Sequence, residues 1–238
     1  MAEIAHILVS CEHGSNRVPA RYRQLFTGQD EALASHRGYD PGALHLARAI
    51  AKAFGADLYF STITRLLIEL NRSVHNHRSI FSSSSRQLPA SEKRHILQQY
   101  YLPYRRRLEQ HLSELVTEAK PVLHLSVHSF TPELNGKIRT ADIGLLYDPA
   151  RQFEKVFCHN WRRTLNATGA VGAIKMNYPY FGTSDGFTTY LRTVFNDSCY
   201  MGVELEVNQK LIGKGGAFPS EITNALIRSL QPALALEV

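Results

Sequence analysis

The sequence predicts a three-layer α/β domain with a mostly parallel sheet. Short apolar runs that end at turn residues alternate along the chain with segments of helical period. The 238 residues, 44% of them hydrophobic, can bury one sizeable core. There is no internal repeat. We therefore expect residues 1–238 to form a single domain.

The predicted elements follow in order along the chain. The first apolar run stops at Glu12 and His13, as expected of a buried strand that ends at an edge of the sheet. Strands are predicted at residues 7–11, 57–63, 122–127, 143–147 and 201–207, and residues 66–70 either continue the second of these or form another. Helices are predicted at residues 42–54, 91–120, 151–164 and 220–230, with Pro103 interrupting the second and Pro232 ending the last. The serine run at residues 82–85 and the segment at residues 178–186 are predicted loops.

Composition excludes several classes of function. The net charge of +6 allows an anionic partner, but the densest basic run, at residues 104–107, lies within a helical pattern and favours a solvated helix face over a nucleic-acid surface. Three widely spaced cysteines without a CxxC motif argue against a disulfide framework and a thiolate zinc site. No apolar run approaches the roughly 20 residues of a membrane span, and no signal peptide is recognisable. We therefore expect a soluble cytoplasmic protein with no membrane or nucleic-acid partner.

Two histidines lie where ligands bind in open α/β sheets, beyond the carboxyl ends of strands. His13 follows the first strand, and His128 follows the run VLHLSV. His124 lies four positions earlier, and positions four apart on a strand are about 13 Å apart, so both cannot bind one ion. His128 is the better candidate, and His124 is expected in the core.

Acidic and basic side chains add further candidates. Glu204 and Glu206 alternate in GVELEV and face the same side of a strand, either at a solvated edge or with one of them acting as a general base. Arg72 with Asn71 could bind a substrate carboxylate, or Arg72 could pair with a local acid such as Glu69. In the loop YPYFGTSDG, Tyr180 could form an aromatic wall, and the alternative is an ordinary tight turn.

Seven motifs in order give a more specific indication. These are CEHGSNRVP, RGYDPGALHLARAIA, ITRLLIELNRS, LHLSVHSFTP, ADIGLLYDP, NYPYFGTSDG and VELEVNQKLI. Together, over about residues 7–211, they resemble the N-formylglutamate amidohydrolase family. The resemblance implies a zinc-dependent amide hydrolase with one zinc per chain and a small-molecule substrate that has a free carboxylate. It also implies a mixed sheet between helical layers, similar to zinc carboxypeptidases and aminoacylases.

The resemblance assigns the metal ligands residue by residue. His13 and His128 match two of them, and Asp40 matches the acidic third, with Glu12 as the alternative. The related carboxypeptidases use a His-x-x-Glu spacing, but here Asn16 occupies the position of the glutamate. The acidic ligand must therefore come from elsewhere in the chain.

The same resemblance assigns the catalytic and substrate-binding residues. Glu206, rather than Glu204, matches the catalytic base, and Arg65 matches an arginine that could polarise the scissile carbonyl. Asn71 and Arg72 match the pair that holds the substrate α-carboxylate, and Tyr180 is expected at the substrate. The chain departs from the family pattern at two positions, Glu69 in place of the usual aspartate and Asn208 where arginine is frequent. The second departure bears on which amino-acid side chain is preferred.

Two other functions remain open at the level of sequence. One is a zinc amidase or peptidase that acts on a larger peptide, which the size of the pocket around Tyr180 would distinguish. The other is a binding protein that kept the fold and lost the metal. The second predicts that no zinc copurifies with the protein.

Overall fold

The computed structural model describes residues 2–4, 6–116 and 121–236 of the chain. Its strands are β1 (Ala2–Glu3), β2 (His6–Cys11), β3 (Asp57–Phe60), β4 (Val122–Phe130), β5 (Glu133–Leu134), β6 (Lys137–Ile138), β7 (Ile143–Leu146), β8 (Ile174–Met176), β9 (Tyr200–Asn208) and β10 (Ala235–Leu236). Its α-helices are α1 (Asp30–Ala34), α2 (Ala43–Phe54), α3 (Ser83–Arg86), α4 (Ala90–Ile96), α5 (Leu102–Leu115), α6 (Gln152–Asn166), α7 (Phe187–Val194) and α8 (Ser220–Ala233). Short 3₁₀ segments at Ala20–Phe26 and Gln209–Leu211 and a π-helical turn at Leu97–Tyr101 complete the regular structure.

Six strands form the central sheet in the order β3-β2-β4-β9-β7-β8. The first four are parallel, whereas β7 pairs antiparallel with β9 and parallel with β8. The predicted α/β class with a mixed, mostly parallel sheet is therefore confirmed. Two small antiparallel pairs, β1 with β10 and β5 with β6, lie outside this sheet.

Helices cover both faces of the sheet, as predicted for three layers. One core cluster joins α2, α6 and α8 to the apolar face of β4 and β9. A second joins α5 and α7 to the other face. A third cluster packs the long segment after β3 against α4 and the 3₁₀ segment Ala20–Phe26. No helix in the described ranges is long and apolar enough to cross a membrane.

Strand β4 shows how the sequence sets the position of the site. Its alternate residues Leu123, Leu125 and Val127 enter the core with α2, α6 and α8. The residues between them therefore point to the opposite face, because side chains alternate along a strand. They include Ser126 and His128, which the pairing with β9 sets opposite Glu204 and Glu206. A buried row of polar groups thus crosses two central strands.

Several local predictions were wrong. Residues 66–70 form no strand. Their apolar side chains pack into the third cluster, which accounts for the apolar run without a place in a sheet. Ser82 caps α3, where a loop was predicted, by accepting from the backbone N–H groups of Ser84 and Ser85. Pro232 lies inside α8 instead of ending it.

The long predicted helix at residues 91–120 also differs from expectation. The α-helix is interrupted just before Pro103 by the π-helical turn, and the proline is the second residue of α5. Residues 117–120 lie outside the described residues. Helix α7, which was not predicted, follows the loop at residues 178–186 directly.

Candidate active site

Polar side chains from four parts of the chain meet at the carboxyl ends of the parallel strands. His13 lies two residues beyond β2, and Asp40 lies in the segment that leads into α2. His128 lies within β4, two residues before its end, and Glu206 is its partner on β9. All four are at least nine-tenths buried. The sequence prediction that these strand ends form the site is consistent with this arrangement.

The side chains of His13, Asp40 and His128 could hold a metal ion. Each offers one ligand atom, and these atoms all lie within 4.8 Å of one another. Asp40 Oδ2 lies 3.2 Å from His13 Nδ1 and 2.9 Å from His128 Nδ1. Two imidazoles and one carboxylate are a donor set typical of catalytic zinc sites.

A second carboxylate lies behind each imidazole. Glu69 contacts Nε2 of His13, and Glu12 Oε2 lies 3.3 Å from Nε2 of His128. In metal sites such carboxylates fix the tautomer and orientation of the ligating ring. Glu12 therefore contacts Nε2 of His128, whereas Asp40 contacts Nδ1 of the same ring.

Other contacts hold Glu12 in that place. Its carboxylate accepts a hydrogen bond of 2.9 Å from Tyr104 Oη and one of 2.8 Å from Ser126 Oγ. The geometry favours Asp40 over Glu12 as the group shared by the two imidazoles.

The electrostatics concentrate negative charge around the two rings. Burial opposes the ionisation of Glu12, Asp40 and Glu69, yet neighbouring cationic side chains hold the pKa of each well below its ordinary value. Burial also lowers the pKa of His13 and His128, but the adjacent carboxylates outweigh it and raise both. Such an environment attracts a cation.

Glu206 and Glu204 have different surroundings although they lie on one strand face. Glu204 Oε1 accepts a hydrogen bond of 2.7 Å from Thr188 Oγ1 on α7. Glu206 Oε2 is buried and has no hydrogen-bond partner in the described part of the chain, and burial raises the pKa of this carboxyl to about 8. Both side chains are buried, so the solvated-edge alternative was wrong.

Gly144 provides the space beside Glu206. It is the antiparallel partner of Glu206 on β7. A Cβ at this position would lie 1.7 Å from the backbone oxygen of Tyr178 and 3.3 Å from the Cβ of Glu206. A side chain here would displace the loop that closes the site.

Arg65 and Arg72 occupy different positions at the site. Arg65 donates to Glu69 Oε2 through Nε at 2.8 Å and Nη2 at 2.6 Å, and to Asp40 Oδ1 through Nη1 at 3.1 Å. The ion pair with Glu69 considered for Arg72 is therefore made by Arg65. Arg72 instead donates to the backbone oxygen of Asp185 and lines the pocket.

Asn71 links the pocket to α7. Its Oδ1 accepts a hydrogen bond of 2.7 Å from the backbone N–H of Phe187, the first residue of that helix. Its Nδ2 lies 3.4 Å from His128 Nε2. The amide is thus oriented with its donor group toward the interior of the site.

A cavity of about 130 Å³ opens onto these groups. Arg139, which sequence reasoning missed, lies in its wall with Tyr180. The Arg139 guanidinium lies 5.1 Å from the centre of the Tyr180 ring and donates to Tyr180 Oη at 2.9 Å. Asn208 donates to the backbone oxygens of Arg139 and Ala141. The asparagine that replaces a frequent arginine therefore holds the segment that carries Arg139.

Comparison with protein families identifies the class. The family model described as N-formylglutamate amidohydrolase matches residues 5–213. The protein is therefore a hydrolase of the amidohydrolase class, with an α/β fold and a buried group suited to a metal. The chain belongs to the N-formylglutamate amidohydrolase family, as the seven motifs suggested.

Solved structures share the fold. The gene product Atu2144 from Agrobacterium tumefaciens is 26% identical with a TM-score of 0.79, and the match covers 98% of this chain and 91% of that one. N-formylglutamate amidohydrolase from Ralstonia eutropha JMP134 is 18% identical with a TM-score of 0.70, covering 98% and 92% of the two chains. No curated protein sequence matches the chain significantly.

Proposed function

We propose that the protein is a zinc-dependent hydrolase that removes a formyl or other small acyl group from an N-acyl amino acid such as N-formylglutamate. The observation that carries this proposal is the buried Glu206 carboxyl, which pairs across the sheet with His128 and has one oxygen that accepts no hydrogen bond from residues 2–4, 6–116 or 121–236. A buried polar atom without a hydrogen-bond partner costs free energy of folding, so its presence in a fold calls for an explanation such as a catalytic role. The family match supports amide hydrolysis as the reaction.

The donor set fits a divalent metal. His13, Asp40 and His128 would hold the ion, with Glu69 and Glu12 orienting the two imidazoles. When bound, zinc polarises the scissile carbonyl and lowers the pKa of water. Other divalent metals share this preference for nitrogen and oxygen ligands, and elemental analysis of the purified protein distinguishes them from zinc.

Glu206 is the general base in this proposal. It accepts the proton of the attacking water and passes it to the leaving amine, as a carboxyl of raised pKa can do near neutral pH. Its Oε2 is available for that proton because no donor from the described residues occupies it. Glu204 lacks this freedom because Thr188 occupies one of its oxygens.

Arginine and amide side chains bind and orient the substrate. Arg72 and Asn71 would hold the α-carboxylate, which places the acyl carbonyl beside Glu206. Arg65 would stabilise charge that develops on the carbonyl oxygen. Its two carboxylate partners fix the guanidinium in position.

The size of the cavity favours a small substrate. About 130 Å³ suits an N-acyl amino acid better than a peptide, because ligand pockets for larger molecules run from roughly 300 Å³ upward. Arg139 and Tyr180 at the wall offer a cation and a ring to the amino-acid side chain. An acidic side chain such as that of glutamate complements this wall.

Metal analysis together with turnover tests the proposal. We expect about one zinc per chain in the purified protein and its loss in His13→Ala and His128→Ala. His124→Gln is the matched control, since His124 is also a buried histidine of β4 but its ring nitrogens contact Ser10 and Tyr200 and no proposed metal ligand. The wild type and this control should release formate from N-formylglutamate.

Two results would contradict the proposal. Absence of metal from the wild type, even after dialysis against zinc, would favour a binding protein that kept the fold. A metal-loaded protein that leaves N-formyl and N-acetyl amino acids intact but cleaves a peptide would favour the larger substrate.

A further inference from the structure

A second, larger cavity lies beside the catalytic pocket and has no wall residue in common with it. Its volume is about 590 Å³, within the range of small-molecule sites. It is formed by α5, Tyr190 of α7 and the segment after Arg72. Tyr101, the last residue of the π-helical turn, lies in its wall, and such turns are frequent at functional sites.

Arg105 and Arg106 both line this cavity, and Arg105 is the buried one of the two. The residue is only 6% exposed, yet it lines the cavity. Its guanidinium lies 4.0 Å from the ring centre of Phe187, 4.9 Å from that of Tyr190 and 5.1 Å from that of Tyr101. The aromatic rings thus hold the guanidinium in one place.

No carboxylate of a described residue forms an ion pair with Arg105. Among the residues that the structure describes, its one hydrogen bond runs from Nη1 to the backbone oxygen of Leu70, at 3.1 Å. Nε and Nη2 make no hydrogen bond with any residue in the described ranges. The free-energy cost of burying this guanidinium is therefore only partly offset by its contacts.

Comparison with Arg65 makes the difference clear. Burial lowers the pKa of both guanidinium groups. At Arg65 the ion pairs with Glu69 and Asp40 outweigh burial and raise the pKa, whereas at Arg105 burial prevails. Arg105 therefore lacks the anionic partner that Arg65 has within the protein.

We propose that this cavity is a second ligand site, which binds a small organic carboxylate through Arg105 and its apolar body through Tyr101 and Tyr190. The planar guanidinium presents paired donors that match a carboxylate. The rings and Leu102 supply the apolar wall. Glu109, which accepts from Tyr190 Oη at 3.1 Å, and Arg106 also line the cavity, so the wall has a net charge that suits one carboxylate better than a doubly charged anion such as phosphate.

The site adjoins the catalytic pocket through one backbone segment. Arg105 holds the carbonyl of Leu70, and Tyr101 Oη donates to the carbonyl of Arg72 at 2.8 Å. The side chains of Asn71 and Arg72 line the catalytic pocket on the other side of this segment. The two sites are therefore neighbours with separate walls.

Calorimetric titration of the full chain tests the proposal without any turnover, so its outcome is independent of the proposed function. The probes are benzoate, the neutral benzamide of similar shape, and inorganic phosphate. We expect one benzoate site per chain, with benzamide and phosphate each at least about tenfold weaker. Arg105→Met should remove benzoate binding, and Arg105→Lys, which lacks the planar fork, should weaken it about tenfold.

Two further variants locate the binding. Ser113→Trp, at an exposed residue of the cavity wall, should block benzoate while leaving Arg105 in place, which covers the case in which Arg105 variants do not fold. Arg72→Ala should leave benzoate binding unchanged, because Arg72 belongs to the other pocket. Absence of benzoate binding, equal affinity for benzamide, tighter binding of phosphate, loss of binding in Arg72→Ala, or retention in Ser113→Trp would each overturn the proposal.

Discussion

Glu206 on β9 is the direct pairing partner of His128 on β4, and its buried Oε2 accepts no hydrogen bond within the ranges that the structure describes. Two residues earlier, Glu204 pairs with Ser126 and accepts a hydrogen bond from Thr188. The two carboxyls share a strand and a face but differ in what occupies their oxygens. This difference underlies the first prediction.

Glu206→Gln should lower kcat by about 10²- to 10⁴-fold, the range for loss of a general base. The amide is nearly isosteric and cannot accept the proton. Glu204→Gln is the matched control and should keep activity within about tenfold, since an amide oxygen can still accept from Thr188. Steady-state hydrolysis of N-formylglutamate by metal-loaded variants measures both. A comparable loss in the two variants would remove the distinction between them.

The second prediction separates Asp40 from Glu12. Asp40→Asn should abolish stoichiometric zinc binding, because Asp40 Oδ2 is the oxygen shared by the two Nδ1 atoms. Glu12→Gln should retain zinc with an affinity reduced about 10- to 100-fold, as expected for a group that orients His128. Competition with a chromogenic chelator measures the affinities. Retention of zinc by Asp40→Asn together with its loss in Glu12→Gln would reverse the assignment.

The third prediction concerns the amino-acid side chain of the substrate. Arg139→Met should raise KM for N-formylglutamate about tenfold while changing KM little for the neutral N-formylglutamine, because the lost interaction is with the side-chain carboxylate. Arg72→Met should raise KM for both substrates, since both have an α-carboxylate. The ratio of kcat/KM for the two substrates is the measurement. If Arg139→Met affects both equally, Arg139 does not select the side chain.

The strand pattern was predictable from the sequence because periodicity determines which face of a strand is polar. It placed Glu204 and Glu206 on one side of β9 and His124 in the core, and His124 is fully buried. The strand pattern could not show which of the two glutamates is the base, because they differ through the hydrogen bond from Thr188 to Glu204. Thr188 lies on α7, a helix of eight residues that has no clear start signal in the sequence.

Other parts of the site depend on contacts between distant segments. The assignment of Asp40 or Glu12 as the acidic metal ligand depends on which nitrogen of His128 each carboxylate contacts. The spacing of these residues along the sequence does not determine those contacts. Arg139 lies in a short connection without a motif, and its contacts with Pro132, Tyr180 and Asn208, all distant in sequence or in other segments, hold it at the pocket. The run at residues 66–70 resembled a strand because it is apolar, but its side chains fill a separate cluster.

The last prediction uses His124, the buried histidine of β4 outside the proposed metal group. Burial lowers its pKa from 6.5 to about 4. Between these values the folded protein keeps the ring neutral, whereas the unfolded chain takes up a proton, so the unfolded state binds more protons. The free energy of unfolding should therefore fall as pH is lowered through this window, by on the order of 3 kcal/mol from this residue alone.

His124→Gln removes that titration. We expect chelator-treated wild type to lose more stability than His124→Gln between about pH 7.5 and about pH 4.5, with urea unfolding as the measurement. The other titrating groups are common to both proteins, so the difference between the two losses isolates His124. Equal losses would mean that His124 takes up its proton within the fold. In that case its ring would need an anionic partner, and Glu12, whose charge favours the protonated ring, would be the one to test.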